Sequence, residues 1–519
     1  MPHDTTDSQS PSPSPSTAPT LAAGGIESPP RTFGSTLLKL GPGMIIAGSI
    51  VGSGELIATT KVGAEAGFTL LWLIILGCVI KVFAQVELGR YAITWGRTPL
   101  SALDEVPGPR LRVNWLVWYW AAMTVLIVSQ QGGIVGGVGQ ALAIAWPLTE
   151  AGEAYGAVQG EATRARVEAA LAQRTGAGDV ETLQLAADSL ALRAGALPEP
   201  NDAYLWAVIV AVITAILLYV GRYRLIQAVS TILVMAFTAM TVISVIALEA
   251  TVWGASAAEF FSGLAFRLPP EAPGVRPVAT ALAAFGIIGL GSAELIMYPY
   301  WCLEKGYAVW TGPRATTESW AERARGWIRV LQTDAWVSMV VYTFATVAFY
   351  MLGAGVLWRV GLNPEGGTMV RTLAEMYAPI FGSWSQPLFL VGSFAVLYST
   401  FFVAAAGNAR MVADGLGLFG AHDGREETRA RWTRIISVLW PLVAVGILIF
   451  VRAPVAMVLA SGVAQAVMLP MLGVAVLYFR YRRLDERLAP GLAWDIFLWL
   501  SCAGFLLVGG WAIASVLGA

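Results

Sequence analysis

Gly52-Ser53-Gly54-Glu55-Leu56-Ile57 lies inside an apolar segment, and Gly291-Ser292-Ala293-Glu294-Leu295-Ile296 repeats it with one substitution inside another. A glutamate set among glycines and aliphatic side chains is costly there, and ionisable groups within membrane segments are usually functional. The bland alternatives are that the glycines are close-packing contacts between helices, and that each acid is a neutral hydrogen-bonded group or pairs with Lys61, Lys81 or Lys305. Two occurrences in one sequence context favour the functional reading.

The rest of the chain supplies that context. Of its 519 residues, 56% are hydrophobic and only 13% charged, with a mean hydropathy of +0.64. Soluble domains carry about 25% charged residues, so lipid is the implied solvent. The net charge of -1 is uninformative, and no basic stripe points to a nucleic-acid partner. Cys78, Cys302 and Cys502 have no paired spacing, and the two histidines, His3 and His422, fall in polar stretches. Neither a disulfide framework nor a histidine-based intramembrane cofactor site is expected, and no cofactor is implied. No nucleophile–base pair or phosphate loop points to an enzyme.

Residues 1–34, rich in Ser, Pro and Thr, read as a disordered cytoplasmic tail. Apolar runs of about 20 residues, each able to cross the hydrocarbon core, then centre on 36–60, 68–94, 114–146, 203–220, 225–252, 277–301, 330–357, 385–414, 432–452, 454–479 and 492–517. The expectation is an all-α polytopic membrane protein with eleven transmembrane helices over 35–519. Arginine clusters at 90–112, 222–224, 314–329, 425–434 and 480–487 place those connections inside. The amino terminus is then inside and the carboxyl terminus outside. Residues 147–201 form a polar outer insertion whose two helix-period stretches flank Thr175-Gly176-Ala177-Gly178, an expected helical hairpin. It would be a lid or partner surface, or a decoration without a role in transport.

The two hexapeptides fall in the first and sixth runs, five crossings apart, so their helices run in opposite directions. That offset implies a five-plus-five inverted repeat, in which binding sites lie near the midplane between paired interrupted helices. Gly48, Gly52 and Gly54 in one helix, and Gly286, Gly289 and Gly291 in the other, supply the interruptions. Unwound carbonyls together with Glu55 and Glu294 would form an oxygen-rich cluster suited to hard cations.

At this point the residues resemble a family. The stretch from Gly41 to Trp72, G-P-G-M-I-I-A-G-S-I-V-G-S-G-E-L-I-A-T-T-K-V-G-A-E-A-G-F-T-L-L-W, is similar to the first helix and following loop of NRAMP-type (natural-resistance-associated macrophage protein) divalent-metal transporters. The likeness continues through Gln85 and Gly96, and Tyr398–Met411 resembles the family's eighth helix. It covers roughly 35–480 in outline and is most specific over 41–97. The resemblance implies a leucine-transporter-like fold with interrupted helices 1 and 6, a divalent cation as substrate, and a bacterial cytoplasmic membrane as location.

The departures fall in the motifs. The family's D-P-G-N stands here as Gly52, Ser53, Gly54 and Glu55, and its M-P-H falls on Ala293, Glu294 and Leu295. Loss of the methionine removes a soft ligand, and two carboxylates favour a harder ion, Mg²⁺ or the Mn²⁺/Fe²⁺ class. The family's helix 10 glutamine has Ser461 as its nearest match, with Gln465 one turn later. The third run has no acid, so proton coupling is not implied; Gln130 and Gln131 read as interhelical hydrogen-bond donors.

The expected binding residues are Glu55 and Glu294, as metal ligands, with Gly52, Ser53, Gly291, Ser292, Ser461 and Gln465. Tyr298 and Tyr300, flanking Pro299, are gating candidates or interfacial anchors, and Pro299 should end or kink its helix. Lys61 and Glu65 read as solvated charges at the outer rim, and Glu87 as a partner of Arg90 or of a neighbouring helix. A transporter of a small organic cation or amino acid, and a membrane sensor that moves nothing, are the rival readings. The oligomeric state is not legible.

Overall fold

The structure is a computed structural model that describes residues 25–176, 178–221, 223–270 and 275–517. Among the described residues, eight helices are long and apolar enough to cross a membrane: Leu71–Trp95, Trp115–Ala145, Asp202–Val220, Glu318–Val360, Ser385–Leu418, Glu426–Val451, Pro454–Arg483 and Leu492–Ser515. The expected helical membrane architecture is present. One two-residue antiparallel ribbon, Arg110–Leu111 with Val113–Asn114, is the sole sheet among the described residues.

Trp115–Ala145 and Ser385–Leu418 are largely buried, whereas Asp202–Val220, Glu426–Val451 and Leu492–Ser515 leave much of their apolar surface exposed. Side chains such as Ile213, Phe450 and Leu507 therefore face outward, the pattern expected when lipid, not water, is the surrounding medium.

Two further helices are broken, and these carry the repeated hexapeptides. The first runs from Pro42 to Ile50, loses helical geometry at Val51 and Gly52, and resumes as a wide turn over Ser53–Thr59 followed by Thr60–Ala66. Its start is fixed by Asp334, whose carboxylate accepts the Gly41 and Gly43 amides at 3.0 and 2.5 Å. An acid is favourable there because the first amides of a helix lack internal partners. The second runs from Pro277 to Phe285, is irregular over 286–291, and resumes as Ser292–Lys305. Gly289, at φ +58°, makes the left-handed turn inside that gap. At Gly286 a side chain would strike the Gly462 carbonyl, so the broken helix lies directly against Pro454–Tyr478. Of the two outcomes expected at Pro299, an end or a kink, the end does not occur, because the helix continues to Lys305.

The insertion holds two helices, Glu150–Thr175 and Val180–Gly195, each started by a side-chain cap from Thr149 or Asp179. Ala162, Ala169, Ala187 and Ala194 are buried within it. Asp202 anchors its base by accepting the Leu148 and Thr149 amides at 2.6 and 3.0 Å.

Residues 1–24 of the expected disordered tail lie outside the described residues. Residues 25–34 depart from that reading: Glu27 donates its amide to the Trp310 carbonyl at 3.1 Å, its own carbonyl accepts Trp327 Nε1 at 3.1 Å, and Phe33 begins a capped helix. Composition concealed these specific backbone partners.

Candidate functional site

Glu55 is fully buried in the wide turn of the first broken helix. Its Oε1 accepts the Gly289 amide at 3.0 Å and the Thr346 hydroxyl at 3.1 Å. The glutamate of one broken helix thus finishes the gap in the other. Its Oε2 has no hydrogen-bond partner among the described residues. Glu294 sits in the first turn after the second gap, and its buried Oε2 is likewise without a partner. Buried polar oxygens are rarely left so, and an ion or water is a standard reason.

A point beside Gly291 locates the second carboxylate. A side chain there would fall against Glu294 Oε2, 2.5 Å from Gln465 Oε1 and 3.1 Å from the Gly286 carbonyl oxygen. Carboxylate, amide and carbonyl oxygens therefore border one position that only a glycine leaves open. Gly52 faces Thr400 in the same close manner, and the Thr400 hydroxyl also lacks a hydrogen-bond partner among the described residues.

A polar chain joins four helices around this centre. Gln130 donates to Ser53 Oγ at 3.2 Å and accepts from Ser461 Oγ at 2.8 Å and Gln465 Nε2 at 3.0 Å. Gln465 Oε1 accepts the Ala293 amide at 3.1 Å, and its backbone carbonyl accepts the Ser292 hydroxyl at 2.6 Å. Gln465 thus supplies the acceptor that the start of Ser292–Lys305 needs. Ser53, Ser292, Ser461 and Gln465 are in this chain, while Gly52 and Gly291 are the close approaches that flank it.

None of the lysines weighed as partners forms an ion pair with Glu55 or Glu294 among the described residues. Lys61 bonds Glu65 at 2.9 Å and Glu365 at 2.7 Å. Lys81 donates to the Phe285 and Ile288 carbonyls at 2.5 and 2.7 Å. The reading of Lys61 and Glu65 as solvated rim charges is corrected: each side chain is 5% exposed. The loop bearing Asn363 and Glu365 folds over them, with Asn363 Oδ1 2.8 Å from the ammonium. Glu87 does pair with Arg90, at 3.3 Å, and accepts Trp494 Nε1 at 2.7 Å.

Tyr298 and Tyr300 lie past the polar chain on Ser292–Lys305. Tyr298 is fully buried and donates to Asp334 at 3.0 Å, the acid that also holds the start of the first broken helix. Tyr300 donates to Asp414 at 2.6 Å. Both hydroxyls face carboxylates inside the protein, which separates them from ordinary interfacial anchors.

Sequence reasoning did not single out Thr346, Asp334 or the carbonyl-binding role of Lys81. The signal for Lys81 was present, a lone lysine in Val79-Ile80-Lys81-Val82-Phe83. Among the described residues no group of three or more His, Cys, Asp and Glu side chains could hold a metal ion. A cation here would draw on amide, hydroxyl and carbonyl oxygen as well as the two acids.

A family model described as natural resistance-associated macrophage protein-like matches residues 168–515. The chain belongs to the Nramp family. The matched range lies downstream of 41–97, the stretch that most resembles the family. No curated protein matches the Nramp chain significantly. Among solved structures, the manganese transporter of Eremococcus coleocola, in complex with an aromatic bis-isothiourea substituted compound, is similar at a TM-score of 0.58 and 14% identity. That match covers 94% of this chain and 89% of that one. A single-residue variant of the same transporter gives 0.57 and 15%, with the same coverage. MhsT in complex with L-phenylalanine gives 0.53 and 15%, covering 93% of this chain and 99% of that one. At such identities the likeness shows the shared leucine-transporter-like fold. With the apolar helices, it makes this Nramp member an integral membrane protein.

Proposed function

We propose that this Nramp protein is a secondary transporter that moves a divalent metal cation by alternating access. The observation that carries the reading is the pair of broken helices, each presenting a buried carboxylate oxygen without a partner, Glu55 Oε2 and Glu294 Oε2. Family membership and the manganese-transporter neighbours support the substrate class. Glu55 and Glu294 are the charged ligands in this reading. Gly52 and Gly291 leave the necessary space, and Ser53, Ser292, Ser461 and Gln465 set the surrounding oxygens. Neutral and anionic oxygen without thiolate, thioether or imidazole suits Mg²⁺ first and Mn²⁺ or Fe²⁺ next.

The wider frame belongs to the same proposal. Residues 35–519 form eleven spans in a five-plus-five inverted repeat, in a bacterial cytoplasmic membrane with the amino terminus inside. The 147–201 hairpin then lies outside. Tyr298 and Tyr300 gate the inner route, because both tie the lower half of one broken helix to carboxylates elsewhere.

Divalent flux into proteoliposomes tests it, comparing the wild type with Glu55→Gln, Glu294→Gln and the double substitution. Flux should fall at least tenfold in each single variant. Undiminished flux in a folded double variant rejects these ligands. Competition by organic amines with no divalent binding favours the organic-cation reading instead.

A further inference from the structure

Lys81 is fully buried in the middle of an apolar helix. Lysine is among the residues least often enclosed, and a buried ammonium is costly unless compensated. No carboxylate pairs with it among the described residues. Its partners are instead two backbone oxygens, Phe285 and Ile288, at 2.5 and 2.7 Å, with the Phe285 ring centroid 4.8 Å from Nζ. Phe285 is the last residue of Pro277–Phe285, and Ile288 lies within the following gap. The ammonium therefore sits at the negative end of a half-helix, among carbonyls freed by its interruption.

Freed carbonyls at the end of a half-helix are what transporters of broken-helix design use to hold a monovalent cation. We infer that the Phe285–Ile288 cradle is a monovalent cation site that the protein fills permanently with the Lys81 ammonium. The tethered charge finishes the gap from one side while Glu55 finishes it from the other, at the Gly289 amide. The consequence is a broken helix whose geometry does not depend on sodium or potassium in the medium. The inference holds whichever substrate the protein carries.

The test is Lys81→Ala, purified in detergent, with thermal unfolding measured in N-methylglucamine chloride against titrations of sodium, potassium, ammonium and ethylammonium chloride. The wild type should be indifferent to the choice of cation. The variant should have a lowered Tm in N-methylglucamine and a saturable recovery with at least one small cation, ethylammonium also replacing part of the lost side chain. Lys81→Met, which keeps most of the methylene packing, is run beside it. Folding of either variant only when a small cation is present throughout purification counts as recovery. A wild type that needs sodium or potassium, variants with flat responses to every cation, or failure of both variants to fold in any salt would each overturn the inference. None of these readings involves divalent flux, so they stand apart from the test of the transported ion.

Discussion

Glu55→Gln separates the two tasks of Glu55. The amide oxygen can take the place of Oε1 and keep both the Gly289 and Thr346 hydrogen bonds. Keeping both bonds limits the loss of stability to about 1–2 kcal/mol, so the variant should fold. What changes is Oε2, the atom without a partner, replaced by an amide NH₂ that cannot bind a cation. A dication about 5 Å from a carboxylate charge gains about 7 kcal/mol at an effective dielectric of about 20. Desolvation offsets more than half of that, leaving about 3 kcal/mol, roughly a hundredfold in Kd. Calorimetric titration with Mn²⁺ and Mg²⁺ reads the affinity, and thermal unfolding of the same sample reads the fold. A folded variant whose Kd stays within about twofold of the wild type would refute the reasoning, because the partnerless oxygen would then have no part in binding.

Other substitutions probe neighbouring features. Gly291→Ala drives a methyl against Glu294 Oε2 and Gln465 Oε1; flux should fall more than tenfold in the liposome assay, with a stability loss of about 1–3 kcal/mol from overpacking. Lys61→Met leaves the enclosed Glu65 carboxylate without its ammonium and should cost about 3–5 kcal/mol, whereas the Lys61→Met/Glu65→Met double variant should recover most of that loss by thermal unfolding. In the loop after Pro454–Arg483, the side-chain hydrogen bond from Arg487 holds the Asp485 carboxyl below its ordinary value of 3.8. Its contribution is full above that value and is lost as pH falls through the lower, folded one. Asp485→Asn should therefore flatten the acid side of the Tm–pH curve and leave the neutral region lowered by a constant amount.

The broken helices were legible because their cause is local: glycines cluster within a few residues of Glu55 and of Glu294, inside runs otherwise fit for continuous helix. Their partners were not. Glu55 meets Gly289 and Thr346 across 234 and 291 residues of chain, and no periodicity encodes such meetings. Lys61 and Glu65 misled for the same reason. An i,i+4 ion pair at the end of an apolar run reads as a wet rim, and only the return of Asn363 and Glu365 encloses it. Lys81 was visible as an anomaly, but its role depends on where the Pro277–Phe285 helix stops, a boundary set by contacts with Pro454–Tyr478.

The reciprocal finishing of the gap over 286–291 has a consequence for descent. Its loose amide belongs to Glu55 and its loose carbonyls to Lys81, two residues on separate helices. A lineage that loses Lys81 must fill those carbonyls with a small cation, and one that loses Glu55 must find the Gly289 amide another acceptor. Related sequences should therefore keep the pair or acquire dependence on a monovalent ion, and that difference would mark a branch of the family more faithfully than overall similarity.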